Sequence, residues 1–130
     1  MGPTFFFMKA AILIARILLG LVFVVFGSNA FLHFIKMPPM EGPSAAFMGA
    51  MFSTGYLQFV AALQVIGGLI LLLGRYLPLG LTLLGPIIVN IDLFHVCMDR
   101  SGLPMAVIVS ALALFLLWSQ RSAFAGLVRA

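Results

Sequence analysis

Charged side chains are scarce in this chain. Only 8% of its 130 residues carry charge, against roughly a quarter in a soluble domain. Hydrophobic residues make up 64%, more apolar surface than a soluble domain of this size can bury, and this excludes a soluble globular fold. The same composition excludes disorder. The single cysteine, Cys97, excludes an intrachain disulfide scaffold. With two histidines, one cysteine and three acids in all, the chain offers no ligand set for structural zinc, and no metal site is assigned. It has no Walker A, G-x-S-x-G, C-x-x-C or H-E-x-x-H pattern, so no catalytic residue is assigned.

What is there is apolar sequence in long runs, so lipid is the expected solvent. Four segments approach the length of a membrane-crossing helix, about 20 residues. They run over about 10–35, 56–73, 77–98 and 103–118, and together predict one membrane domain over 1–130. Prolines and glycines separate them: Met37-Pro38-Pro39-Met40, Gly74-Arg75-Tyr76-Leu77-Pro78, and Asp99 to Pro104. Strict alternation is absent, so helices are expected rather than a closed barrel. The expected fold is an all-α, integral membrane four-helix bundle. In the loop between the first two spans, Ala46, Phe47, Met51 and Phe52 recur at helical spacing. That pattern suits a short interfacial helix, or equally a loop tucked against the bundle.

The formal charge is +4, but the basic residues are scattered singly, which disfavours nucleic acid as a partner. The spans account for the charge better. An even number of spans places both termini on one side, with Lys9, Arg16, Arg75, Arg121 and Arg129. Lys36 and Arg100 fall on the other side, and Glu41, Asp92 and Asp99 in its half of the membrane. This asymmetry predicts cytoplasmic termini.

Polar residues inside apolar spans are costly and therefore informative. Arg16 has no carboxylate in its half of the membrane; it is expected to reach lipid phosphates, or else a ligand. Asp92 and His95 are three residues apart and share a helix face, which Asp99 extends. Asn29 and His33 lie near the same end of the first span. If the two faces meet, Asn29, His33, Asp92 and His95 line one pocket. A carboxylate beside an imidazole can pass protons, which suits a quinone headgroup. The plainer reading is a polar clamp fixing helix register. Ligation of haem or another tetrapyrrole by His33 and His95 is the third reading. Gly20, Gly27, Gln64, Gly67 and Gly68 read as close-packing positions between helices.

Several stretches resemble the DoxX family of small four-helix membrane proteins. They are Arg16-Ile-Leu-Leu-Gly20, Phe26-Gly27, Met37-Pro38-Pro39-Met40, Thr54-Gly55-Tyr56, Gly67-Gly68, Gly74-Arg75, Pro86-Ile-Ile-Val-Asn90 and Leu93-Phe94-His95. The likeness extends over about 16–121. It implies a bacterial or archaeal cytoplasmic membrane and association with quinone-linked oxidoreductases or redox-stress complexes. It also makes Gly67, Gly68, Asn90 and His95 recurring positions, Asn90 among the packing residues. The chain departs from the resemblance at Gln64, where many relatives carry glutamate, and at Asp92, where they are uncharged.

The first functional expectation is a small non-catalytic membrane subunit of a larger redox or energy-transducing complex, adjoining a quinone. No intrinsic cofactor is expected; a quinone, a lipid or a tetrapyrrole is the candidate bound molecule. Lipid and other membrane subunits are the expected partners. They would dock in part through Met37, Met40, Phe47 and Met51. The alternatives are a quinone or proton-active site belonging to the chain itself, and a small oligomeric transporter.

Overall fold

The computed structural model describes residues 2–34, 36 and 39–128, and among them the regular structure is helical. Six α-helices follow one another: α1 Pro3–Leu32, α2 Gly42–Ser53, α3 Tyr56–Leu73, α4 Leu77–Cys97, α5 Leu103–Ser119 and α6 Arg121–Phe124. A 3-10 turn, Arg100–Gly102, leads into α5. Four helical stretches are long and apolar enough to cross a membrane: Pro3–Leu32, Tyr56–Leu73, Leu77–Cys97 and Arg100–Ser119.

Local chemistry sets the helix ends. Proline stands in the first turn of α1, α2, α4 and α5, where its missing N–H is not needed. Gly74 closes α3 in the left-handed conformation (φ +76°), donating its N–H to the carbonyls of Ile70 and Leu71. The span expected over 10–35 is displaced. Helix α1 starts at Pro3, and it stops when His33 turns left-handed (φ 53°) and donates its N–H to the Asn29 carbonyl. Ile35 at the expected end of that span, Met37 and Pro38 in the expected breaker, and Arg129 in the charge asymmetry lie outside the described residues. In the loop, where helix and irregular chain were equally expected, the helix α2 forms and leans on α3.

The long helices pack side by side in the cyclic order α1, α3, α4, α5, so α1 and α4 occupy opposite corners. Each contributes one fully buried leucine: Leu19, Leu71, Leu84 and Leu116. The α1–α3 seam is the closest. A Cβ on Gly20 would lie 2.9 Å from the Gly68 carbonyl oxygen, and one on Gly27 would lie 3.0 Å from that of Ala61. Seven residues along α1 thus correspond to seven residues back along α3, a regular antiparallel register of small residues. Gly67 receives Leu84 of α4 in the same way, with Leu84 Cγ 2.7 Å from where its Cβ would stand.

Candidate functional site

Between Gly67 and the α2 end of the molecule the helices enclose a cleft of about 670 Å³. That size falls within the ordinary range for small-molecule sites. Its walls are apolar and flexible: Phe23 and Phe26 from α1, Leu57 and Val60 from α3, Ile87, Ile91 and Phe94 from α4, and Met105 and Val109 from α5. Helix α2 closes one side with Phe47, Met48 and Met51, and Phe47 meets Phe94 with ring centroids 5.6 Å apart. Bulky side chains line this volume, while the α1–α3 seam beside it stays closed at Gly27 and Ala61.

Few polar groups reach this lining. Gln64 of α3 is half-buried and forms no hydrogen bond among the described residues. Asn90 donates its side-chain N–H to the Pro86 carbonyl at 2.9 Å, which leaves its amide oxygen free to accept. It is an exposed cleft residue bonded to its own helix, where a packing role between helices was expected. Thr54 spends its hydroxyl on the Ala50 carbonyl at 2.7 Å.

His95 is the imidazole among the polar α3 and α4 groups at the cleft, which are Tyr56, Gln64, Asn90 and His95. Its Nδ1 lies 3.0 Å from the Asp99 carbonyl oxygen. A carbonyl only accepts, so Nδ1 carries the proton and Nε2 keeps its lone pair in the neutral ring. The ring stands edge-on to Phe94, centroids 5.2 Å apart, and lies over Gly102, where any Cβ would collide with it. The turn after α4 therefore holds the imidazole from two sides. The Asp99 carboxylate accepts from the Ser101 hydroxyl at 2.5 Å and from the Ser101 backbone N–H at 3.2 Å. These bonds, the hydroxyl's first, hold the Asp99 carboxyl below its ordinary value, with a smaller contribution from nearby His95.

Asn29, His33, Asp92 and His95, expected to line one pocket, are not brought together. Helices α1 and α4 do share the cleft, but other residues of theirs face it. Asn29 is buried in α1. His33 is exposed at the end of α1, its ring 5.8 Å from that of Phe52 on α2. Asp92 turns to α5, where it accepts a hydrogen bond from Ser110 at 2.6 Å. Only His95 of the four borders the cleft. Sequence reasoning missed Ser110 as the partner of Asp92. The signal was available, since Ser110 is the one hydroxyl within the apolar run Leu103–Trp118. For the seat of His95 on Gly102 the sequence carried no signal.

No protein-family model matches the chain. An uncharacterized protein of Bacillus subtilis (strain 168), YwoB, is 33% identical over 78 residues, which is 60% of this chain. The chain spans about half the length of that relative, 51%. No solved structure matches.

Proposed function

We propose that the chain is a multi-pass protein of a bacterial or archaeal cytoplasmic membrane with both termini in the cytoplasm. In this reading α1, α3, α4 and α5 cross the bilayer as a four-helix membrane bundle, and α2 lies in the outer interface. Its cleft holds a lipophilic molecule with a polar head, of the quinone class, and the chain serves a larger redox or energy-transducing complex as a non-catalytic subunit. The observation that carries the proposal is the apolar cleft of about 670 Å³ with polar groups confined to Gln64, Asn90, His95 and the Thr54–Tyr56 edge. Such a lining suits an elongated apolar body with one oxygen-bearing head. The bound molecule supplies the redox chemistry; the chain binds, orients and shields it from water. The resemblance to the DoxX family, with Gly67, Gly68, Asn90 and His95 at its recurring positions, supports the same assignment.

A second reading is favoured by one specific observation, the 3.0 Å contact between His95 Nδ1 and the Asp99 carbonyl oxygen. With Nδ1 committed to the Asp99 carbonyl, Nε2 is the ring atom left to accept a hydrogen bond or a proton. That makes the cleft proton-active in its own right.

Photoaffinity labelling with an azido-quinone in proteoliposomes tests the site. Labelling is expected to saturate near one per chain, within 56–95, and to be competed by unlabelled quinone but not by an alkane. His95→Gln should weaken it roughly tenfold, the worth of one hydrogen bond to the head. Labelling spread over the outer helix faces and indifferent to competitor would overturn the cleft assignment. The subunit role is tested separately by purification in mild detergent, where a stoichiometric partner should remain at raised ionic strength. A clean monomer that supports its phenotype alone would overturn it.

A further inference from the structure

At the opposite end of the bundle an arginine has no counter-ion among the described residues. Arg16 reaches from α1 across the end of α3 and lays its guanidinium on Gly74. A Cβ at Gly74 would stand 2.8 Å from Arg16 Cζ and 2.8 Å from Nη1. The Arg16 Nε is buried and has no hydrogen-bond partner among the described residues. Arg75, the next residue after Gly74, is exposed, so a second guanidinium belongs to the same turn.

Among the described residues the acidic side chains lie elsewhere. Glu41 precedes α2, Asp99 follows α4, and Asp92 is fifteen residues past Leu77, about 22 Å along α4 from this turn. A guanidinium half-buried among apolar helices needs an anion, and its planar fork matches the oxygens of a phosphate. Exposed Leu13, Ile14, Ile17 and Leu18 flank Arg16 on α1, so an acyl chain would find apolar surface next to the charge.

We propose that Arg16, with Arg75 beside it, holds a phosphate group supplied by an anionic phospholipid in the leaflet nearest the α3–α4 turn. Gly74 is part of the site, because any side chain there would push the guanidinium off its seat. The site is separate from the cleft and rests only on the multi-pass reading.

Native mass spectrometry tests it on the full chain, released from bilayers of equal phosphatidylglycerol and phosphatidylcholine. One retained phosphatidylglycerol is expected, enriched roughly tenfold over phosphatidylcholine, as for a charge-assisted bond. Arg16→Gln should reduce the enrichment to less than about twofold, and Arg16→Lys, which keeps the charge but loses the fork, should fall between. Arg121→Gln should leave it unchanged, since that arginine stacks on Trp118 instead, 4.4 Å from the ring centroid. Circular dichroism of each variant checks that the helices are intact; where Arg16→Gln does not fold, the Arg16→Lys value decides. Enrichment that is absent in the natural chain, or unchanged in a folded Arg16 variant, overturns the site. A second arm adds millimolar inorganic phosphate in lipid-free detergent. Stabilisation of the natural chain but not of Arg16→Gln there, without lipid enrichment, would make free phosphate the source and overturn the lipid assignment. Recovery of the chain in the soluble fraction would overturn the multi-pass reading itself.

Discussion

The two ends of the bundle solve opposite problems. Toward the α3–α4 turn, Gly20 meets Gly68, Gly67 receives Leu84, and one buried leucine from each long helix fills the centre. Toward α2, phenylalanine and methionine line open volume, and Thr54, Tyr56, Gln64, Asn90 and His95 are the polar residues of its lining. Small residues let backbones touch, so packing there is by main chain and has one solution. Large, flexible side chains can rearrange around a guest. The change occurs in α4 beside Pro86, whose ring lacks the N–H that the Thr82 carbonyl would accept. The small-residue seam between α1 and α3 fixes their register, and open volume remains toward α2.

Alanine placed on glycine gives the sharpest contrast between the ends. At Gly68 a Cβ would stand 2.8 Å from the Gly20 carbonyl oxygen and 2.9 Å from Val24 Cγ2. Because the nearest atom is backbone, Gly68→Ala should destabilise the protein by about 3 kcal/mol. Gly49, exposed inside α2 at the other end, has nothing within 4 Å of that position. Gly49→Ala should stabilise by about 0.5 kcal/mol through the unfolded chain. Denaturant titration in detergent measures both, and equal losses at the two positions would break the contrast.

The Asp92–Ser110 bond comes next in size. Ser110→Ala leaves a half-buried carboxylate without its donor and should destabilise by about 2 kcal/mol. Asp92→Asn keeps an acceptor for the hydroxyl and should lose less. A double-mutant cycle isolates the pair; a coupling near zero would show that this bond does not tie α4 to α5.

The smallest effect is one of pH. The Asp99 carboxyl is held below its ordinary value by Ser101, so its contribution is present above the ordinary carboxylate range. It is lost as pH falls through the lowered value. Protection of the Ser101 amide, relative to the exchange rate of the unfolded chain at each pH, should therefore fall only in acid, and Ser101→Ala should remove much of that step. Protection that does not change in acid would show that the Asp99–Ser101 bonds do not hold the turn.

How legible all this was depends on the range of the interaction. The four long apolar helices were legible, because composition and proline or glycine punctuation act within the chain. The glycine positions were legible as close-approach residues, but which helix each one meets depends on packing order. That order also governed the site. Asp92 and His95 do share a stretch of α4, yet a residue three positions away points far enough round the helix to find a different neighbour. Asp92 found Ser110 on α5, while His95 found the Asp99–Gly102 turn. The pocket built from Asn29 and His33 assumed that their side of α1 faces the cleft; Phe23 and Phe26 face it instead, and nothing within the segment encodes that choice.

Helix α1 is 30 residues long, about 45 Å, whereas α3 is 18 residues, about 27 Å. The glycine seam holds the two in fixed register, so the surplus length projects beyond the α3–α4 turn. On that projection Phe5, Phe6 and Phe7 are exposed, about 15 Å further along the axis than Arg16. In a bilayer the aromatic turn favours cover by hydrocarbon and the arginine favours the headgroup level, and one flat leaflet cannot satisfy both. A thicker membrane covers the rings and submerges the charge; a thinner one frees the charge and exposes the rings. Local leaflet height becomes a mechanical variable of the molecule, and hydrophobic mismatch, rather than any contact within the bundle, then decides how α1 stands and in which membranes the chain is at ease.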